Sequence, residues 1–505
     1  MTSSLLLLFV AVPLLSAGLL VVARFAVLRR ILFVGVPALS TLGGALLIAA
    51  HQHTPVIAHE VGAYLPGVAI VFVSDSLSAL MLFAMGVVTT VSTWFLTETR
   101  EARYRFVPAL TLLLLTGVNG ALLTGDLFNL FVFVEVMLLP SYALVAVTGS
   151  WRRLGVGRMF VLVNLLASTI LVAGVGLMYG ATQTVNLAML AGVAESNPQA
   201  GLAGGIIIFA MLVKAGVVPV HGWLPRSYPA TSAGMMSLFS GLHTKIGLYV
   251  VYRIFSIIYA PETPWLPVLS AVVIATIIVG SLSTFGERRI RGALAFQMVA
   301  GVGQILIGLI VFTELSVTAG LFYMVHHMVT MAGLVLASGA IEATYGSGRF
   351  DRLHGLMRRE PVLAAVMALG LLSLVGLPPT SGLWGKVSLL AGAAQEPGWL
   401  SWALIGSVAF ASIVSLMALQ RVWVRIFWGR PMTEYLPDDP VTARGELTAL
   451  EDSTKAPLRL VAPSAVMIGL SVALFFTVGL VWPYFEQAAA ALLDIGNYVS
   501  AVLER

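Results

Sequence analysis

Three of the four lysines lie inside strongly apolar stretches of the sequence, at Lys214, Lys245 and Lys386. The fourth, Lys455, lies in a polar segment, and arginine supplies nearly all the positive charge of the polar loops. A lysine at the centre of a membrane helix costs roughly 2.5–3.5 kcal/mol on insertion scales, so a function is expected wherever one is found. Lysine can release its proton at accessible pH, whereas arginine cannot. The three lysines are therefore predicted to take up and release protons.

A carboxylate lies at a similar depth in another apolar stretch. Glu135 is near the middle of GDLFNLFVFVEVMLLPSYAL, as Lys214 is in IIIFAMLVKAGVVPVHGWL. A buried charge without a partner is costly, whereas two opposite charges that face each other compensate. Glu135 is therefore predicted to be the partner of Lys214. The alternative is a static ion pair that only fixes helix packing, but buried pairs of that kind are weak stabilisers.

Two adjacent histidines, His326 and His327, follow in a later apolar stretch. Neighbouring residues on a helix point about 100° apart, so only one of the two is expected to face a given path. They are either neutral side chains satisfied by neighbouring helices or members of a proton relay. His221 and His243 are expected near helix ends and rank below them as site residues.

Prolines interrupt two of the lysine-bearing stretches. Pro219 follows Lys214, and LVGLPPTSGLWGKVSLL places Pro378 and Pro379 before Lys386. Proline removes a backbone hydrogen bond and kinks or breaks a helix, and broken helices at membrane depth usually line a polar cavity. Because the interrupted helices recur five spans apart, and an odd unit must re-enter from the opposite face, they predict an inverted repeat.

The composition is that of an all-α integral membrane protein. Of the 505 residues, 59% are hydrophobic and 10% are charged, and the mean hydropathy is +0.96. The absence of cysteine excludes disulfides, thiolate-bound clusters and thiol catalysis. No nucleotide-binding or zinc-protease motif is present, so neither a cofactor nor an enzymatic reaction is predicted. His51, His53 and His59 could bind a metal, but a solvated loop is the favoured interpretation and no metal site is predicted.

About fourteen spans are predicted, each long enough to cross a bilayer. They lie near 3–23, 31–50, 69–96, 106–123, 127–148, 159–181, 201–222, 230–252, 266–285, 292–312, 316–345, 361–391, 399–424 and 460–482. Every second loop is rich in arginine, and only Arg253 and Arg505 lie on the other side. The positive-inside rule then places the Arg-rich loops in the cytoplasm and both termini outside. This distribution accounts for the high isoelectric point without a nucleic-acid partner.

The spans divide the chain into four parts. Residues 1–105 hold the first three helices, 106–255 the first five-helix repeat (spans 4–8), and 256–425 the second (spans 9–13). Residues 426–505 hold a cytoplasmic linker, the last helix and a C-terminal tail. From Glu486 onward the tail is either an amphipathic helix on the outer surface or a frayed terminus.

Three stretches resemble the family of proton-translocating subunits found in complex I and in the Mrp antiporters. They are GDLFNLFVFVEVMLLPSYAL, KAGVVPVHGWLPRSYPATSAGMMSLFSGLHTKIGLYVVYR and GLPPTSGLWGKVSLL. Within that family, GDLFNLFVFVE and LFSGLHTKIGLY most resemble the D-type subunits of Mrp Na⁺/H⁺ antiporters. The resemblance covers roughly spans 3–13. It implies fourteen helices, two inverted five-helix repeats and broken seventh and twelfth helices.

The resemblance also implies a function for the buried ionisable residues. The family's membrane-embedded polar axis corresponds here to Glu135, Lys214, Lys245 and Lys386, with His326 and His327 as its histidines. The expected protein is a proton-translocating subunit of a multisubunit Na⁺(cation)/H⁺ antiporter in the cell membrane. Its expected partners are the other Mrp subunits, protons, Na⁺ and the lipid bilayer. The alternatives are a proton-pumping module of a complex I or hydrogenase-type redox complex, and an inert scaffold protein within the assembly.

Overall fold

A computed structural model describes the chain except for residues 1–2, 24, 63–68, 148–150, 260–262, 264, 396, 439–445, 452 and 505, and except for the side chains of 151–153. The N-terminal helices are α1 (Leu8–Val22), α2 (Ala26–Ala50) and α3 (Ser76–Glu98). Next come α4 (Val107–Leu123), α5 (Leu127–Ala146), α6 (Trp151–Thr182), α7 (Val193–Ser196), α8 (Pro198–Ala215), α9 (Trp223–Ser227) and α10 (Ala233–Ile258).

The second half begins with α11 (Leu266–Ser283), α12 (Ile290–Val311), α13 (Glu314–Tyr345), α14 (Pro361–Val375), α15 (Ser381–Ala393) and α16 (Trp399–Phe427). The chain ends with α17 (Leu458–Phe476), α18 (Val478–Leu493) and α19 (Gly496–Leu503). Two antiparallel strand pairs complete the structure, β1 (Val56–Glu60) with β2 (Val71–Asp75) and β3 (Glu434–Tyr435) with β4 (Thr448–Ala449).

The helices confirm the predicted all-α membrane architecture. Among the described residues, 11 helices are long and apolar enough to cross a membrane, the broken segment Pro198–Ala230 included. The other three predicted spans are the 17-residue α4, the pair α14–α15, and α10. Helix α10 is buried along its whole length, so it needs no apolar surface toward lipid and tolerates charged residues.

The predicted breaks in the seventh and twelfth spans are present and share one geometry. Helix α8 ends at Gly216 and helix α14 at Gly376, with φ of +80° and +94°. Glycine adopts this left-handed conformation without steric cost. The amide that follows each glycine donates back to a carbonyl in the last helical turn, at 3.2 Å in α8 and 3.0 Å in α14. The two repeats therefore interrupt their lysine-bearing spans in the same way.

Two predicted boundaries are wrong. The third span does not begin at 69, because Val71–Asp75 pairs with β1 and the helix starts at Ser76. The Asp75 carboxylate accepts from the Ser78 amide at 2.9 Å, a capping box that fixes this start. The sixth helix begins at Trp151 rather than 159, because an apolar stretch marks only the membrane-embedded part of a helix.

The loop that carries three histidines is more ordered than predicted. His51 is buried, and its ring nitrogens bond the Thr54 carbonyl at 2.8 Å and the Ser74 hydroxyl at 2.9 Å. His59 lies in β1, and of the three only His53 is exposed. The expectation of a solvated loop is therefore wrong for His51, whose polar atoms are satisfied by protein.

The two ends of the bundle differ in charge, and each brings distant segments together. At the end that we call the Arg-poor face, Ser3 bonds His59 in the β1–β2 hairpin and Gln487 of α18 bonds the His51 carbonyl. The opposite end, the Arg-rich face, carries the ion pairs of Arg289 and Arg352 with Asp438 and of Arg291 with Glu342. Both chain ends thus lie at the Arg-poor face, in keeping with the predicted alternation of loops.

The C-terminal tail is helical and packed at the Arg-poor face. Phe485, Ala488 and Ala489 of α18 are buried, and the Leu492 carbonyl accepts from Ser256 at the end of α10. The frayed-terminus alternative is therefore wrong, although the helix begins at Val478 and not at Glu486.

Arg253, an exception to the charge alternation, is neutralised within the protein. It is 5% exposed and pairs with Asp75 through two contacts, at 2.6 and 2.8 Å. The rings of Tyr249 and Tyr498 each lie 5.5 Å from its guanidinium carbon. A buried, paired arginine adds no net charge to the loops, so it does not weaken the orientation that the other arginines indicate.

Candidate functional site

Glu135 and Lys214 are linked through a serine. The Ser168 hydroxyl on α6 donates to Glu135 Oε1, and Lys214 Nζ donates to Ser168 Oγ at 2.8 Å and to the Asn164 carbonyl at 3.3 Å. Helix α6 packs against both α5 and α8, which places its hydroxyl between the two charged groups. Among the described residues Glu135 has no direct ion pair. The predicted partners are therefore neighbours, with a hydroxyl between them that a charge-based search does not find.

The environments of the two charges differ. Lys214 is 4% exposed, whereas Glu135 is only partly buried and lies on a face of α5 where Val132 and Leu139 are exposed. The carboxylate therefore sits at the edge of this chain, and the ammonium group sits in its interior.

His243 was expected near a helix end, and that expectation is wrong. It lies in the interior of α10, fully buried, with its ring stacked on Phe239 at 4.7 Å between centroids. Its Nε2 bonds the Ser141 hydroxyl on α5 at 2.8 Å, and it interacts electrostatically with Lys214. Only His221 lies at a helix break, in the turn Val220–Gly222. The signal that could have identified His243 is its position two residues before Lys245 in a helix with no lipid-facing side.

Lys245 makes the contact between the first repeat and α13. The side chain is fully buried, and its Nζ lies 3.0 Å from His327 Nδ1 and 3.2 Å from Thr244 Oγ1. Helix α13 is 32 residues long and buried throughout its apolar section, so it runs through the centre of the protein. The contact therefore joins two ionisable groups at the centre of the bundle.

His326 faces the second repeat. Its Nδ1 lies 2.8 Å from Ser381 Oγ on α15 and 3.3 Å from Thr330 Oγ1. Ser381, Ser373 and Thr330 all bond one further hydroxyl, that of Ser471 on α17. The two histidines diverge as predicted, but the expectation that only one of them faces a polar path is wrong, because each meets a polar cluster on its own side of α13.

Lys386 is held inside the second repeat. It is 6% exposed, and its Nζ donates to the Val375 carbonyl and to the Ser412 hydroxyl, both at 2.9 Å. Val375 is the last residue of α14, where free carbonyls and the helix dipole favour a cation. Lys214 occupies the last turn of α8, the corresponding half of the first broken span. Both repeats therefore place a buried lysine beside a helix break.

Together these residues form a series of protonatable groups through the interior. In order they are Glu135, Lys214, His243, Lys245, His327, His326 and Lys386, linked by hydrogen bonds, serine and threonine hydroxyls or electrostatic contact. Such a series can pass protons, because each member can gain or lose one and its neighbour stabilises the change in charge. Among the described residues, no group of three or more His, Asp or Glu side chains is arranged to hold a metal ion.

Known proteins share this fold and sequence. A family model described as "NADH:quinone oxidoreductase/Mrp antiporter, TM" matches residues 124–412, the stretch that holds every group of the series. The D subunit of the Na⁺/H⁺ antiporter of Bacillus subtilis (strain 168) is 30% identical over 504 residues, covering 98% of each chain.

Solved structures give the same picture. A chain of the Mrp complex from Dietzia sp. DQ12-45-1b is 39% identical and superposes with a TM-score of 0.94 over 100% of both chains. A chain of the membrane-bound sulfane sulfur reductase, an archaeal respiratory complex, superposes with a TM-score of 0.86 over 99% of both chains. Its identity is 24%, so that likeness shows a shared fold only.

Proposed function

Because this chain belongs to the NADH:quinone oxidoreductase/Mrp antiporter transmembrane family, we propose that it is the D-type subunit of an Mrp Na⁺/H⁺ antiporter. In this role it is a transporter subunit that moves protons through the membrane as part of a hetero-oligomer. Its partners are the other Mrp subunits, and the transported ions are protons and Na⁺. The energy source is an ion gradient rather than a chemical reaction in this chain.

One observation carries the proposal. The buried series from Glu135 to Lys386 crosses both repeats, with His327 bonded toward the first and His326 toward the second. Inert packing does not account for three buried lysines, because each is expensive to keep in a membrane. We propose Glu135, Lys214, Lys245, His327, His326 and Lys386 as the groups that pass the proton. The division at residues 105, 255 and 425 assigns one proton-handling repeat to each middle segment.

The rival function is a proton-pumping module of a redox complex. It is favoured only by the shared fold of the sulfane sulfur reductase chain, at 24% identity. The Mrp chain from Dietzia is 39% identical over the full length, which favours the antiporter. Neighbouring genes distinguish the two: redox subunits beside this gene favour the rival, and small membrane subunits alone favour the antiporter.

Replacing Lys214 with arginine tests whether the series must exchange protons. Arginine keeps the positive charge but stays protonated, so Na⁺-driven acidification or alkalinisation of vesicles holding the whole complex should be lost. Lys455→Arg, in the exposed linker, is the matched control and should transport normally. Antiport by the Lys214→Arg complex at the wild-type rate would mean that Lys214 is a fixed counter-charge, and would refute proton exchange at this residue.

We propose a plasma-membrane orientation with both termini outside and the Arg-rich face in the cytoplasm. The chain contains no cysteine, so single cysteines can be introduced without further changes. His53, on the Arg-poor face, and His354, on the Arg-rich face, are both exposed. A membrane-impermeant maleimide should label His53→Cys in intact cells and His354→Cys only after the membrane is opened. The reverse pattern would contradict the orientation.

A further inference from the structure

A buried glutamine joins three helices of the second repeat. Gln297 of α12 is 5% exposed; its Nε2 donates to Thr284 Oγ1 at 3.0 Å, and its Oε1 accepts from Ser415 Oγ at 3.0 Å. Thr284 follows the end of α11, and Ser415 lies on α16. Both ends of the amide are therefore hydrogen-bonded to hydroxyl groups, as a buried polar side chain requires.

The same face of α16 carries the contact to Lys386. Ser412, which accepts from Lys386 Nζ, precedes Ser415 by three residues, and residues at this spacing are neighbours on a helix surface. The polar groups consequently run from Lys386 through Ser412 and Ser415 to Gln297 and Thr284. None of these four hydroxyl and amide residues belongs to the series that links Glu135 to Lys386.

The first repeat contains a related arrangement with different chemistry. There the Ser168 hydroxyl joins the lysine beside the broken helix to the carboxylate of Glu135 on α5. In the second repeat the corresponding helix, α12, offers the Gln297 amide in place of a carboxylate. A neutral amide gives Lys386 no counter-charge, but it can accept and donate hydrogen bonds at once. This difference indicates a conducting role for Gln297 rather than charge compensation.

The polar groups lead to an opening at the Arg-rich face. One turn beyond Thr284, the Glu287 side chain lines a cavity of about 400 Å³ together with Arg226 and Arg289. Gly292 leaves room for the Glu287 carboxylate, since a Cβ there would lie 2.2 Å from its Oε2. Arg421 holds the turn by donating to the Glu287 carbonyl at 2.8 Å. Burial raises the pKa of the Glu287 carboxyl above its usual value, which suits a group that exchanges protons with water in the cavity.

We propose that Thr284, Gln297 and Ser415 line an access path along which protons move between the Arg-rich face and Lys386. This inference rests on the proposed proton transport. A proton taken from water at the Glu287 cavity ends on the Lys386 amine, which becomes an ammonium ion, and the reverse movement returns it. The second repeat then has its own connection to one side of the membrane. A purely structural role, in which the glutamine only ties α11, α12 and α16 together, is the competing explanation.

The test uses the whole antiporter complex in vesicles, with Na⁺-driven proton movement as the readout. Gln297→Leu and Ser415→Ala should each lose most of the proton flux at matched complex levels. Ser407→Ala is the control on α16, because this equally buried serine bonds only a carbonyl of its own helix, that of Leu404. Gln297→Glu keeps a polar group but adds a carboxylate, so it should retain transport with a shifted pH dependence. A structural tie predicts no such pH shift.

The outcomes separate this inference from the proposed function. Lost flux in Gln297→Leu and Ser415→Ala, with normal flux in Ser407→Ala, supports the path. Wild-type flux in both, while Lys386→Ala is inactive, overturns the path and leaves the proposed function standing. Wild-type flux in Lys386→Ala overturns both. If the Gln297→Leu complex does not assemble, Ser415→Ala, which removes a single hydroxyl, decides by the same criterion.

Discussion

Replacing Glu135 with glutamine is expected to abolish Na⁺-driven proton movement while leaving the complex assembled. The amide retains the shape of the side chain and can still accept from the Ser168 hydroxyl. It carries no negative charge, so it cannot compensate the Lys214 ammonium through that hydroxyl, and it cannot take up a proton. The measurement is the pH change inside vesicles after a Na⁺ pulse, and the variant should match vesicles that lack the complex.

A second carboxylate in the same half of the chain supplies the control. Glu195 of α7 is exposed, so Glu195→Gln removes one negative charge without touching the buried series. Its transport should equal that of the wild type. Robust antiport by the Glu135→Gln complex would show that Glu135 is not needed as a charge and would remove the first member of the proposed series.

The sequence predicts the helices and the charged residues well, because both leave strong local signals. Apolar length marks a membrane span, and a lysine such as Lys245 stands out in it because burial is costly. The glycine and proline pattern near Gly216 and Gly376 likewise marks the broken spans. These features depend on the residues themselves and on the bilayer, so no knowledge of tertiary contacts is required.

The missed features depend on tertiary contacts. Ser168 is one serine among many, and only the packing of α6 between α5 and α8 gives it a place between two charges. The interior position of His243 and the strand Val71–Asp75 were missed for related reasons. A strand next to a membrane helix reads as part of the same apolar stretch, and only its pairing with β1 reveals it. Uncharged hydroxyl and amide groups are the least visible members of the site.

The structure makes a specific statement about Lys386. A lysine that only reached the membrane surface would be exposed, and its ammonium group would lie in the interface. Lys386 is instead buried and bonds the Val375 carbonyl and Ser412 in the interior of the second repeat. Removing it should therefore stop transport, although it lies in the opposite half of the protein from Glu135.

The central claim is that one proton series runs through both repeats, and Lys386→Ala tests it most directly. Leu389→Ala is the matched control, because Leu389 is also buried in α15 and its truncation opens a cavity without removing a charge. At equal complex levels, we expect no Na⁺-driven pH change in Lys386→Ala vesicles and a normal change in Leu389→Ala vesicles. A wild-type pH change in Lys386→Ala vesicles would exclude the second repeat from the path and contradict the claim.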